Sequence, residues 1–158
     1  MSEALDRMIA QFPRSGRVEW LGVRPERKAD VIAVEAAMIK VIGLDGDHRT
    51  SPGKRAVSLI QAEHLPAIAA FTGRDRIDAA ILRRNIVVSG INLLALRKIE
   101  FRIGTAVVKG TGPCAPCTRM EEALGRGGFN AMRGHGGITA EVVAEGEVRI
   151  GDLVSVEG

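Results

Sequence analysis

Tyrosine is absent from the 158 residues, tryptophan occurs once and phenylalanine four times. Single-stranded nucleic acids are held by aromatic stacking platforms inside basic grooves, so this shortage argues against nucleic acid as a partner. The formal charge of +3 is modest. A few clustered arginines nevertheless suffice to hold a phosphate, which keeps small anions in view. No apolar run approaches the roughly 18 residues of a membrane span. The opening Met1-Ser2-Glu3-Ala4 lacks the basic segment and apolar core of a secretory signal. No membrane is therefore expected as a partner, and the expected location is the cytoplasm. Cysteine is scarce as well. Cys114 and Cys117 are the only two, three residues apart, which excludes a structural disulfide framework. No second Cys-x-x-Cys exists, and His48, His64 and His135 are scattered, so a four-ligand zinc site ranks low.

What is present concentrates in residues 111–138. Cys114-Ala115-Pro116-Cys117 is followed by a short helix signal and a glycine-rich run from Gly125 to Gly137. Thr118 and Glu121 have the spacing of a capping box, in which hydroxyl and carboxylate satisfy each other's orphan amides. Cys117 then sits one residue ahead of the helix, where free amides and the helix dipole favour thiolate over thiol. Gly125 ends the helix after roughly two turns by taking the left-handed conformation. The pair alone allows dithiol exchange, half of a metal site, or one working thiolate with a neighbour. Two inert, buried cysteines are the plainer alternative. Thioredoxin-like chemistry calls for a βαβ pattern that the flanks do not show.

The hydrophobic content of 46% and charged content of 26% are ordinary for one globular domain. Leu5, Met8, Ile9 and Phe12 form the stripe of an amphipathic helix stopped by Pro13, and this stripe suits docking, dimerisation or packing on its own domain. Two units are expected: an amphipathic helix in residues 1–16 and a β domain in 17–158. Residues 18–23 and 31–42 read as strands, and 43–49 as a polar loop, with 56–60 apolar beyond it. His48, Arg49 and Arg55 around this loop are site candidates. A helix is expected over 61–71 and a shorter one over 75–82. Arg83-Arg84-Asn85 then stands at the mouth of a strand at 86–88, where two arginines can clamp an anion. Alternation at Ile99, Phe101, Ile103, Ala106 and Val108 gives two strands, and 138–144, 147–150 and 153–156 give more, with hairpin turns at Glu145-Gly146 and Gly151-Asp152. Many short strands with few helices predict a mainly β fold, a closed β-barrel with short peripheral helices.

Residues 43–49, 55–60, 82–93, 104–119 and 133–156 resemble, in order, the motifs of the MOSC domain, named after the carboxy-terminal domain of molybdenum cofactor sulfurases. The resemblance covers nearly everything after Arg17 and is strongest to the small stand-alone bacterial members. Its most specific parts are the Cys114/Cys117 loop, Arg83-Arg84-Asn85 with Gly90, and residues 146–154. It implies a barrel of the pyruvate-kinase barrel-domain type and a molybdenum cofactor, with molybdenum on a pterin (molybdopterin). Cys117 is the residue that aligns with the metal ligand, and Cys114 stands beside it. Arg49, Arg55, Arg83, Arg84 and Arg133 are the expected phosphate holders. Asn85, Thr111 and Gly112 are further expected cofactor contacts, and the loop glycines are expected to let backbone approach a bulky ligand. His135 either relays a proton or caps a turn.

The activity this implies is reduction of an N-hydroxylated small molecule, with electrons from a donor protein. The alternatives are a sulfur carrier or transferase using a Cys117 persulfide, and a non-catalytic cofactor-binding module. Pyridoxal phosphate is not expected, since no lysine site is evident. The extra amino-terminal barrel domain of the larger reductases is not seen in this sequence, so a homodimer formed through the first helix is one way to complete a substrate pocket.

Overall fold

The computed structural model describes residues 2–49 and 51–156. Met1, which opens the expected helix, Thr50, and the last two residues of the expected β domain lie outside the described residues. The chain forms α1 (Glu3–Ala10), β1 (Gly16–Val23), β2 (Ile32–Val34), β3 (Ala36–Lys40), β4 (Gly43–Leu44) and β5 (Val57–Gln61). After a 3₁₀ turn at Ala62–His64 come α2 (Leu65–Thr72), a 3₁₀ turn at Ala79–Leu82, β6 (Ile86–Ser89) and a 3₁₀ turn at Leu93–Leu96. Then follow β7 (Glu100–Ile103), β8 (Ala106–Pro113), α3 (Thr118–Leu124), α4 (Gly128–Met132), β9 (Ile138–Ala144), β10 (Gly146–Arg149) and β11 (Leu153–Ser155).

Seven of these strands close on themselves in the order β11-β7-β8-β9-β5-β6-β1, with β1 pairing back to β11 and β2 attached to β1. Closure removes the open edges that a flat sheet would expose. The expected closed barrel with short peripheral helices is what the chain forms. All neighbours are antiparallel except β5 and β6, whose connection carries α2 across the outside. Every residue of β5 is buried. Leu59 points into the barrel core and Ile60 into a second core, as the two-residue period of a strand requires. That second core, with Ile68, Leu82, Met120, Leu124 and Met132, holds the helical layer on the β5–β6 face.

Two expectations about pairing are corrected. Residues 31–42 do not form one strand: Glu35 bends the chain, β2 stays on β1, and β3 leaves for a separate three-stranded sheet, β10-β3-β4. That sheet also takes Gly43–Leu44, which the sequence places in a loop. The turns at Glu145-Gly146 and Gly151-Asp152 join strands that are not partners, since β10 pairs with β3 and β11 with β1 and β7. Gly151 donates its N–H to the Val18 carbonyl at 2.8 Å, so the second turn steers the chain onto β1 instead of folding it back.

Helix α1 is capped by Ser2, whose hydroxyl accepts from the Leu5 N–H at 3.1 Å, and it buries none of its residues. In the helical layer, His64 meets His135 edge-on at 4.9 Å between ring centroids. Burial, then the second imidazole, pushes the His64 pKa below the ordinary 6.5, with the Glu63 carboxylate opposing. The unfolded chain therefore binds a proton here more readily than the folded one. Stability from this group is fully present above pH 6.5 and is lost as pH falls from there through the lower folded value. Urea midpoints measured from pH 7.5 down to 5 should fall, and His64→Gln should flatten part of that fall. An unchanged slope in the variant would remove His64 as its source.

Candidate functional site

Strand β8 runs straight into the cysteine loop. Cys114 follows its last residue and donates its N–H to the Gly137 carbonyl at 2.8 Å, while Cys117 caps α3 in extended conformation (φ −130°, ψ 178°). Both thiols are free; Cys114 is buried and Cys117 exposed. Both line one cleft of about 270 Å³. No turn or bend interrupts residues 114–117.

The expected capping box does not form. The cap is Cys117 itself, without a side-chain hydrogen bond. Glu121 turns the other way and accepts from the N–H groups of Gly127 at 3.0 Å and Phe129 at 2.9 Å. These amides belong to the start of α4, a helix that the glycine run had concealed, and their hydrogen bonds hold the Glu121 pKa below its ordinary value. Gly125 ends α3 as expected, with φ at 86°. Gly136 and Gly137 serve backbone packing, not ligand approach. A Cβ on Gly136 would fall 2.1 Å from the Cys114 carbonyl oxygen, and one on Gly137 1.8 Å from that of Leu59.

The rest of the cleft wall is cationic. Among the described residues, seven arginines line it, and no Asp or Glu does. Arg84 is the most enclosed, at 6% exposure. Its Nε donates to the Gly136 carbonyl at 2.9 Å and its Nη1 to the Leu82 carbonyl at 3.0 Å, which leaves Nη2 buried without a protein partner. Nε of Arg49 is likewise buried and unpartnered. Arg83, left-handed at φ 59°, donates to the carbonyls of Ala29 at 2.8 Å and Arg27 at 3.2 Å. Arg119 donates to the same Arg27 carbonyl at 3.0 Å, so segment 27–29 is tied over the cleft from two sides. Burial first, and neighbouring guanidinium groups next, depress the pKa values of Arg49 and Arg83, with Asp47 opposing at both and Asp30 also at Arg83.

One carboxylate organises this wall from behind it. Asp47, with a fully buried side chain, accepts from the Arg24 backbone N–H at 2.8 Å, from its Nε at 3.3 Å and from its Nη2 at 3.1 Å. Burial raises the Asp47 pKa, but the Arg24 hydrogen bonds and charge, with Asn85, outweigh it and hold the group below its ordinary value. The pair anchors the loop that presents His48 and Arg49 to the cleft. Replacing Asp47 with Ala would leave Arg24 uncompensated, at a cost of about 3 kcal/mol for breaking such a pair. Urea unfolding should read that loss, and Asp47→Asn should recover part of it.

Of the residues expected from sequence, the cleft gathers His48, Arg49, Arg55, Arg83, Arg84, Cys114 and Cys117. Asn85 is not in its lining: its side chain accepts from the Ser58 N–H at 3.1 Å and donates to the Gly22 carbonyl at 3.2 Å, bracing β5 against β1. Thr111 and Gly112 stand behind Thr139, which does line the cleft; the two threonine hydroxyls lie 2.8 Å apart and the Gly112 carbonyl accepts from Thr139 at 3.4 Å. Arg133 is exposed at the end of α4 and bonds Asn130 at 3.4 Å. His135 is also outside the cleft lining, with its ring against His64 and Phe71. The sequence reading missed Arg24, Arg27 and Arg119. Their only signal was a charged turn after β1 and a helix residue two past Cys117.

Among solved structures, the YuaD protein from Bacillus subtilis superposes with a TM-score of 0.78 at 20% identity, over 91% of this chain and 97% of that one. YiiM from Escherichia coli does so at 0.70 and 21%, over 90% of this chain and 70% of its own. YiiM from Geobacillus stearothermophilus reaches 0.74 at 19%, over 90% and 75%. At these identities the likeness carries the fold alone. No curated protein matches the chain in sequence. The family model for the MOSC domain matches residues 45–155, a stretch that holds the cysteine loop and most of the barrel, and the chain belongs to that family, which is associated in general with molybdenum cofactor binding.

Proposed function

We propose that this protein binds molybdenum cofactor in the cysteine cleft and reduces N-hydroxylated compounds. The observation that carries the reading is the joint lining of one cleft by two free thiols and seven arginines, with no carboxylate in that lining among the described residues. A thiolate is a soft ligand suited to molybdenum. Guanidinium groups match phosphate oxygens two at a time. The buried, unpartnered nitrogens of Arg49 and Arg84 are an unmet demand for an anion, since an orphaned buried donor costs free energy until something accepts from it. The residues present therefore fit the group.

Cys117, the exposed thiol, would hold the metal, and Arg84 would orient the phosphate from a position that two backbone carbonyls fix. When bound, molybdenum supplies the two-electron chemistry by which oxygen is removed from nitrogen. The electrons would come from a donor protein. The homodimer expected through the first helix draws support from α1 leaving Met8 62% exposed. Among the described residues, no helix is long and apolar enough to cross a membrane.

A second reading, sulfur transfer through a persulfide on Cys117, is favoured by the exposure of that thiol, which leaves an outer sulfur open to an acceptor. Elemental analysis and pterin fluorescence of protein from cells that make the cofactor separate the two. Near-stoichiometric molybdenum and pterin support the cofactor reading. Neither metal nor pterin, with a reducible one-sulfur adduct on Cys117, moves the assignment to sulfur transfer. Cofactor without turnover of any N-hydroxylated compound would make the protein a binding module.

A further inference from the structure

Removing oxygen from a hydroxylamine consumes two electrons and two protons: the N–O bond breaks, nitrogen keeps its substituent as the amine, and oxygen departs as water. Electrons come from the reduced cofactor, and a proton-bearing side chain in the cleft would speed the departure of oxygen as water. Among the residues lining the cleft, arginines do not release protons near neutral pH; of the two thiols, Cys117 is committed to the metal and Cys114 is buried. Among the described residues no Asp or Glu lines it, and His135 is outside its lining. One imidazole remains, on the loop that Asp47 anchors.

We propose that His48 is the proton donor of this cleft, taking up its proton when an anion is seated among the arginines. The inference rests on the cofactor reading above for its chemistry, and on the cleft alone for its electrostatics. The charged groups around His48 come from three parts of the fold: Arg24 after β1, Asp47 and Arg49 on its own loop, and Arg83 before β6. Burial, then Arg24, pushes its pKa below the ordinary 6.5; Asp47 opposes, and Arg49 and Arg83 add to the depression. An empty cleft therefore keeps His48 neutral at neutral pH. An anion held by the same guanidinium groups offsets their share of the depression, though not that of burial, and so favours the imidazolium that the reaction requires. Linkage makes the effect reciprocal: if the anion favours the proton, the proton tightens the anion.

Inorganic sulfate is a suitable probe, because its own charge does not change over the pH range in which imidazole titrates. The chain has three histidines, so the imidazole NMR signal that His48→Gln deletes identifies His48. Sulfate should shift that titration upward and leave that of His64 in place. By calorimetry, sulfate affinity for the wild type should rise as pH falls from 7.5 toward 5.5, by up to about tenfold per pH unit where one proton is taken up. In His48→Gln the profile should be flat, with binding at pH 7.5 retained. If sulfate binds but both proteins give the same pH profile, His48 is not the linked group and the proposal falls while the anion cleft stands. If sulfate binds at no pH, the anion cleft and the proposal fall together.

Discussion

Cys117→Ser should lose essentially all bound molybdenum while unfolding at the same or a higher urea concentration than the wild type. The two halves of that result have separate causes. Serine lacks the soft thiolate, and removal of a metal ligand should cost more than the roughly 10- to 100-fold lost when only an outer-shell partner is removed. As a cap, however, serine is the better residue. Cys117 occupies the N-cap of α3 in extended conformation and makes no side-chain hydrogen bond there. A serine hydroxyl at an N-cap can accept from an orphan amide and contribute about 0.5–2 kcal/mol relative to a residue that does not cap. The chain thus carries cysteine where a hydroxyl would fold better, which is the pattern expected when the thiol is kept for chemistry. Cys114→Ala is the companion variant and should retain the metal. Molybdenum retained by Cys117→Ser and lost by Cys114→Ala would reverse the ligand assignment.

Gly137→Ala should unfold at a much lower urea concentration, with a loss of about 4 kcal/mol or more, at the high end for single substitutions. For a chain of this size such a loss lowers Tm by about 10 °C. The residue sits at φ 85°, and an added Cβ would lie 1.8 Å from the Leu59 carbonyl oxygen and 2.9 Å from the Ile60 Cα. Those atoms are backbone of β5, which is buried along its whole length and cannot move aside. The Gly137 carbonyl also accepts from the Cys114 N–H, so any displacement reaches the thiol loop directly. Gly134→Ala provides the contrast. At φ 82° it has a similar backbone conformation, but its Cβ would meet nothing within 4 Å. It should cost only the left-handed penalty, about 1 kcal/mol. Equal losses in the two variants would show that conformation, not the contact with β5, sets the cost at Gly137.

Local chemistry was legible in the amino-acid order. Period-two burial in 100–103 and 106–108, the helix that the apolar stripe of α1 marks, the glycine stop after α3 and the pairing of two thiols near arginines all follow from residues within a turn or two of one another. These features depend on backbone sterics and short hydrogen bonds, which sequence spacing encodes directly. Tertiary structure decided which side chains share the cleft. Arg24 and Arg27 reach it because the Asp47 carboxylate and the Arg83 and Arg119 guanidinium groups tie the segment after β1 across it. His135 and Arg133 stay outside its lining because Glu121 anchors the start of α4, and the second core packs that helix beside α2. The barrel order, too, sets β9 between β8 and β5 and sends β10 to another sheet, although consecutive strands had every local mark of hairpins. Such choices rest on contacts between residues tens of positions apart, whose energies come from shared burial and charge neutralisation; no local spacing carries that information.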